Sequence, residues 1–319
     1  MSTATAVAHP NIALVKYWGK RDLPLNLPAV GSVSLTLSGF STRTTVHWGA
    51  DADGLELDGE AITGKEADRV FRFLDRVDSG RPRVQVASSN DFPRGAGLAS
   101  SASGFAALAV AATAAAGRAL DLTALSRLAR QGSGSACRSL WGGFVRWDRG
   151  EAPDGSDSVG RPIAGADHWD LRMVVGVVDA GRKKVGSTEG MERSRTTSPY
   201  YDAWVDTAQA DVEEGTAAIL ARDLERLGTV MEQSTLKMHA AMHTAWPPLL
   251  YWQPGTVACL HAVHELRAGG VGAWATMDAG PQVKVLCTPE DADAVAAALA
   301  PHTQRVHVLA PGGPAGLVG

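Results

Sequence analysis

Two hydrophobic periods alternate along this chain. Residues 33 to 48, VSLTLSGFSTRTTVHW, are β-branched and partly alternating, and RVQVAS from Arg83 alternates too, so both stretches predict strands with one buried face. Between Ser100 and Gly117, SSASGFAALAVAATAAAG is apolar on nearly every side and closes on a glycine, which predicts a buried helix. A second helix follows, in which LTALSRLARQ sets Leu125, Leu128 and Ala129 on one face and stops at Gly132. GGFVRW from Gly142 returns to strand.

Residues 149 to 168, RGEAPDGSDSVGRPIAGADH, are rich in Gly, Pro and Asp and lack a clear period, which predicts an exposed connection between domains. A boundary near Trp169 divides the chain into residues 1–169 and 170–319. Beyond it LRMVVGVVD predicts a buried strand, residues 200 to 240 two helices, AWATM and QVKVLC paired strands, and PEDADAVAAALA a helix. The second half is therefore α+β. The tail, APGGPAGLVG, is expected to be loose, and no internal repeat is evident.

Composition narrows the class. The chain has 319 residues, and cores tend to split beyond about 250, so two domains are expected. Its 45% hydrophobic and 20% charged residues are those of an ordinary globular protein. Thirty basic against thirty-four acidic residues, net −4, leave no basic footprint for nucleic acid. Cys137, Cys259 and Cys287 show no paired spacing, which argues against a disulfide framework or a CxxC metal site and fits a reducing cytoplasm. The start, MSTATAVAHPNIALVKYW, has no basic stretch before an apolar core, so no secretory signal is expected, and the apolar run from Phe105 to Ala116 is shorter than the ~20 residues of a bilayer span.

One stretch stands out for its small residues: FPRGAGLASSASGF, from Phe92 to Phe105. A strand, then glycines, then a helix opened by serines places free backbone N–H groups and the positive end of a helix dipole before an anion. Gly95 and Gly97 allow close backbone approach, and Ser100 and Ser101 can cap the helix or bind phosphate or its metal. Two common nucleotide motifs fail. A P-loop needs Lys after its last Gly, where this chain has Leu98, and the dinucleotide fingerprint needs a strand ending in an acid after the helix, where Asp121 is followed by helix. Taken alone, the stretch fits equally well a helix N-terminus packed tightly on a neighbour.

Three other stretches add charge to glycine or serine. AHPNIALVKYWGKRD gathers Lys16, Tyr17, Lys20 and Arg21, and RQGSGSACRS carries Ser133, Ser135 and Arg138. MDAGP sets Asp278 between two apolar strands, before Gly280 and Pro281. A charge at a strand end facing a Gly-rich turn is a candidate catalytic carboxylate, although an Asp that merely caps the turn is the commoner explanation of one such residue.

In this order NIALVKYWGKRD, LNLP, FPRGAGLASSASGF, GSGSACRSLWGGFVRW and MDAGP resemble the mevalonate diphosphate decarboxylases of the GHMP kinase superfamily, over nearly the whole chain. GLASSA marks the superfamily; KYWGKRD and GSGSACRSLWGG are more specific to the decarboxylases. The resemblance implies an α+β GHMP kinase fold: an N-terminal ribosomal protein S5 domain 2-like domain, a ferredoxin-like C-terminal domain, and an active site in the cleft between them. It also implies a homodimer, no membrane and no nucleic acid. The implied reaction consumes ATP with Mg²⁺ and turns mevalonate 5-diphosphate into isopentenyl diphosphate, ADP, phosphate and CO₂.

Carried onto this chain, the resemblance makes Asp278, Arg138 and Lys20 catalytic. Asp278 orients or deprotonates the 3-hydroxyl, and Arg138 lies by the substrate carboxylate. Tyr17, Lys20, Ser133 and Ser135 approach the diphosphate, and VGSTEGM from Val185 supplies Ser187 and Met191 to the mevalonate pocket. Ser88, Asn90, Gly95, Gly97, Leu98, Ala99, Ser100 and Ser101 face ATP, with Ser101 also on Mg²⁺. The chain departs from the family at Thr188, where many bacterial members have Arg, at Ala29, Val30 and Gly31, where Thr-Asn-Ser is usual, and at Arg94.

Other readings are weaker. His239 and His243 have the spacing of a zinc pair, but Ala240 stands where a catalytic Glu would be and no third ligand is evident, so ordinary helix histidines are expected. Trp246, Trp252 and Trp274 have apolar neighbours and are expected in the core. Alternatives within the fold are a decarboxylase of mevalonate 5-phosphate, a mevalonate-type kinase, and a nucleotide-binding homologue without catalysis. Retention of Lys20, Arg138 and Asp278 together favours decarboxylation.

Overall fold

The computed structural model describes residues 2–92, 100–181 and 185–319. The first half runs β1 (Ser2–Ala8), β2 (Asn11–Val15), β3 (Lys20–Asp22), β4 (Leu27–Pro28), β5 (Ser32–Thr36), β6 (Thr42–Trp48), β7 (Gly54–Leu57) and β8 (Glu60–Ala61). It continues through α1 (Lys65–Val77), β9 (Val84–Asn90), α2 (Ser100–Ala115), α3 (Leu122–Gly132), a 3₁₀ turn at Gly134–Cys137, β10 (Phe144–Trp147) and β11 (Gly160–Ala164). The second half comprises β12 (Arg172–Val177), α4 (Ser187–Thr197), α5 (Tyr201–Ala221), α6 (Leu224–His243), α7 (Pro254–Ala268), β13 (Ala273–Met277), β14 (Val283–Cys287), α8 (Ala292–Leu299), β15 (Arg305–Leu309) and β16 (Gly316–Val318).

Three larger sheets organise these elements, in the orders β16-β1-β6-β9-β7-β8, β11-β10-β5-β2 and β13-β14-β12-β15. The first packs on α2, whose all-round apolar surface is explained by burial, with Phe105 and a run of alanines meeting Val46, Val84 and Val86 in one core. The small alanine side chains let the helix lie close to the sheet. A second core joins the halves: Ile12, Leu14, Val33 and Leu35 pack with Val212 and Met231 of α5 and α6, and these with Val175, Trp274 and Leu286 of the third sheet. The opposite face of that third sheet is covered by α7 and α8 through Val174, Val263, Ala275, Val285 and Val295. Strands covered on both faces read as continuous apolar runs, which is why VKVLC and AWATM lack alternation.

Several expectations are corrected. Residues 33 to 48 form two strands in two different sheets, because the chain turns at Gly39, in the left-handed region at φ 86, between β5 and β6. The connection at 149–168 is partly ordered structure: β11 pairs antiparallel with β10, and the Arg130 guanidinium donates to the carbonyls of Gly155 and Ser158. The tail is not loose. Gly316, Leu317 and Val318 pair with Val7, Ala6 and Thr5 of β1, a main-chain ladder that needs no side-chain pattern. Trp246 is 75% exposed, in the turn after α6, while its neighbours Ala245 and Leu249 take the core positions.

Candidate active site

Strand β2 is buried along its whole length and delivers Lys16 at its end. The Lys16 backbone N–H donates to Ser234 Oγ of α6 at 2.9 Å, which ties the first half of the chain to the second at this point. The side chain, 1% exposed, reaches across to Asp278, where Nζ lies 2.7 Å from Oδ1. Lys284, also 1% exposed, approaches from β14 and places its Nζ 2.7 Å from Oδ2 of the same carboxylate. Both oxygens of Asp278 are therefore gripped by ammonium groups, while a third of its side chain stays accessible.

The turn that carries Asp278 is itself anchored. The fully buried Gln282 accepts from the Val178 N–H at 2.7 Å, and Thr256 Oγ1 donates to the Pro281 carbonyl at 2.6 Å. Burial on its own would raise the Asp278 pKa, but Lys16 and Lys284 outweigh it and hold the carboxylate well below its usual range. Burial pulls Lys16 down to about 8 against the opposing pull of Asp278.

Arg138 follows the 3₁₀ turn and is 2% exposed. Its Nε and Nη2 donate to Asn11 Oδ1 at 3.2 and 3.1 Å, and its Nη1 donates to Ser32 Oγ at 2.6 Å. Asn11 is held in turn by donating to Ser139 Oγ at 2.7 Å. Asp278 adds only a longer-range attraction to Arg138. Three buried cations, Lys16, Lys284 and Arg138, thus face one carboxylate, an excess of positive charge that an anionic ligand would offset.

Next to this cluster the chain packs closely through glycine. A Cβ on Gly134 would fall 2.9 Å from Trp147 Cη2 and 3.1 Å from Tyr17 Oη, so only glycine leaves the Tyr17 hydroxyl its place. That hydroxyl is buried with no hydrogen-bond partner among the described residues, and burial raises its pKa far above the usual value. Gly19 is left-handed at φ 101, and a Cβ there would collide with the Tyr201 hydroxyl, another buried group with no hydrogen-bond partner among the described residues. Lys20 begins β3, with Nζ 3.4 Å from Thr188 Oγ1; burial first, then Arg69, lowers its pKa to about 8.

The serine-opened helix behaves as the sequence suggests at its described end. Ser100 starts α2, and Ser101 Oγ is exposed and 3.3 Å from Ser133 Oγ. Gly95, Gly97, Leu98 and Ala99 lie outside the described residues. Ser88 and Asn90 sit at the end of β9, but their side chains bond within the sheet, Ser88 to Thr44 Oγ1 and Asn90 to Thr42 Oγ1, both at 2.8 Å. Ser135 is half-buried in the 3₁₀ turn and Ser187 opens α4. Met191 is buried in a cluster with Trp18, Trp204 and Met238.

Three side chains of this cluster escaped the sequence reading. Lys284 gave a usable signal, a lone charge within an apolar strand, which needs a partner if the strand is buried. Lys16 stood in the N-terminal cluster without a role, and Asn11 opened its motif unremarked. His239 is buried against Trp252 and His243, at ring separations of 5.1 and 5.7 Å, and burial lowers its pKa to about 3. Among the described residues no three His, Cys, Asp or Glu side chains gather as a metal site.

The chain matches the diphosphomevalonate decarboxylase-like N-terminal domain over residues 8–160 and the mevalonate 5-diphosphate decarboxylase C-terminal domain over residues 173–309. It is 38% identical to the diphosphomevalonate decarboxylase mvd1 of Aspergillus fumigatus, over 94% of this chain and 81% of that protein. The crystal structure of mevalonate diphosphate decarboxylase from Staphylococcus aureus superposes with a TM-score of 0.94 at 36% identity, covering 100% of this chain and 98% of that one. The structure of MDDEF in complex with MVAPP, AMPPCP and magnesium does so at 0.92 and 39% identity, covering 99% of each chain. The two matched domains and the close superposition on these structures, over nearly the whole chain, define an enzyme of the GHMP kinase fold. Within that class, the chain belongs to the diphosphomevalonate decarboxylase family.

Proposed function

We propose that this chain decarboxylates mevalonate 5-diphosphate to isopentenyl diphosphate at the expense of ATP, releasing ADP, phosphate and CO₂. The observation that carries the reading is the Asp278 carboxylate, held between Lys16 and Lys284 and opposite the buried fork of Arg138. A tertiary hydroxyl leaves poorly, and ATP with Mg²⁺ supplies the phosphoryl group that makes it a leaving group. The electron pair of the bond to the carboxylate then becomes the C2–C3 double bond as phosphate departs from C3.

The residues fit these ligands. Tyr17 presents beside Gly134 a buried hydroxyl that has no hydrogen-bond partner among the described residues, and Lys20, Ser133 and Ser135 complete a set of donors for the substrate diphosphate. Ser101 offers an exposed oxygen at a helix N-terminus, the hard donor that Mg²⁺ prefers, and with Ser100 and the sequence-expected contacts Gly95, Gly97, Leu98 and Ala99 it is assigned to ATP. Ser88 and Asn90 border that nucleotide site from β9, and Ser187 and Met191 border the mevalonate from α4. Asp278 accepts the hydrogen bond of the 3-hydroxyl and aims its oxygen for attack; Arg138 holds the carboxylate in plane until it leaves as CO₂.

The surrounding assignments belong to the same proposal. The domains divide near Trp169, the enzyme works in the cytoplasm, in keeping with three buried unpaired cysteines, and the homodimer rests on resemblance. Among the described residues no helix is long and apolar enough to cross a membrane. The test is to supply the purified chain with ATP, Mg²⁺ and, separately, mevalonate, its 5-phosphate and its 5-diphosphate, following CO₂ and phosphate. CO₂ from the diphosphate alone is expected. CO₂ from the monophosphate alone would reassign the substrate, and phosphoryl transfer without CO₂ would make the chain a kinase.

A further inference from the structure

Lys284 occupies a position where an apolar residue would pack without cost. Its strand neighbours Val283 and Val285 point to the core under α7 and α8, while Leu286, two residues on, lies in the core shared with α5 and α6. Across β14 its register partners are Val175 and Thr276. Thr276 is satisfied by Thr235 of α6 at 2.8 Å, which leaves Asp278, among the described residues, as the acceptor for the Lys284 ammonium. Lys16 alone would give Asp278 one counter-charge, and a buried ion pair is often replaceable by apolar side chains without loss of stability. A second buried lysine on the same carboxylate adds desolvation cost to an already cationic cluster, which points to a task other than stability.

The geometry supplies the task. Lys16 reaches Oδ1 from the end of β2 and Lys284 reaches Oδ2 from β14, so the two halves of the chain hold the carboxylate from opposite sides. We propose that Lys284 is a positioning residue: it clamps the second oxygen of Asp278 so that a fixed, charged acceptor meets the hydroxyl that is to be phosphorylated. The proposal rests on the functional reading above. Four groups face Asp278: Lys16 from β2, Lys284 from β14, Arg138 from the 3₁₀ turn, and the neutral ring of His239 from α6. Removing Lys284 leaves the other three in place. The carboxylate then gains rotational freedom and basicity, since one of its two close cations is gone.

The test compares Lys284→Met and Lys284→Arg with the wild type in kcat, KM, pH profile and thermal melting. A carbon-13 carboxyl signal for Asp278, assigned against Asp278→Asn, gives a readout independent of turnover. Lys284→Met is expected to lose about a hundredfold in kcat with KM little changed. Its Asp278 titration and the acid limb of kcat should both move up by about one pH unit or more. Lys284→Arg, which restores the cation, should recover most of both. An Asp278 titration that stays where it was in a folded Lys284→Met protein would overturn the proposal, whatever happens to kcat. Failure of the wild type to release CO₂ from mevalonate 5-diphosphate would instead remove the functional reading, and the carboxyl signal would still decide the clamp.

Discussion

Asn11 and Arg138 lie 127 positions apart and share one oxygen: Asn11 Oδ1 accepts from both Nε and Nη2 of the guanidinium, at 3.2 and 3.1 Å. Among the described residues its other acceptor is Ser32 Oγ, so Asn11 fixes the plane of the guanidinium that the proposed function brings to the substrate carboxylate. Asn11→Ala should cost about 3 kcal/mol of stability, because a charged buried donor loses two bonds. It should also lower kcat/KM by about tenfold or more. Denaturant melts and steady-state kinetics check both. Arg138→Lys should fail similarly, since a point charge cannot span Asn11 Oδ1 and Ser32 Oγ together.

Gly134→Ala tests the packing around Tyr17. The new methyl would press on Trp147 and on the Tyr17 hydroxyl, at 2.9 and 3.1 Å, and move the hydroxyl away from the diphosphate. A rise of about tenfold in KM for mevalonate 5-diphosphate is expected, with a smaller change in kcat. Titration of the binary complex separates lost binding from slowed chemistry.

The two lysines of the KYWGK stretch are expected to set the alkaline limit. Lys16 and Lys20 both have pKa values lowered to about 8, mainly by burial, so each loses its proton as pH rises through that value in the free enzyme. An anionic substrate prefers the protonated forms. Hence kcat/KM should fall above about pH 8 with a slope approaching two protons, and Lys20→Arg should reduce that slope toward one. An unaltered limb in Lys20→Arg would show that Lys20 does not titrate with substrate binding.

How much of this could be read beforehand depended on where the signal lay in the chain. Asp278 was legible because a charge in a Gly-Pro turn between two apolar strands has a local signature. Arg138 and Lys20 were legible only through their motifs. Lys284 left only a conditional signal, since a single lysine in VKVLC looks outward-facing until both faces of the sheet are known to be covered, by α5 and α6 on one side and α7 and α8 on the other. The buried helix α2 announced itself by an apolar surface on every side. Strand β16 had no such mark: its three residues are held by main-chain pairing to β1 at the far end of the chain, and such pairing leaves no side-chain pattern. Trp246 misled because apolar neighbours in sequence took the core positions in its stead.

The central claim is that Asp278 acts on the substrate hydroxyl. The most direct measurement is single-turnover CO₂ release by Asp278→Asn, with ATP, Mg²⁺ and mevalonate 5-diphosphate, alongside the affinity of the binary substrate complex. Asparagine keeps one carbonyl oxygen for a lysine but removes the charge, so release should slow by about a thousandfold while substrate still binds. Release at close to the wild-type rate, in a folded protein that binds substrate normally, would contradict the account.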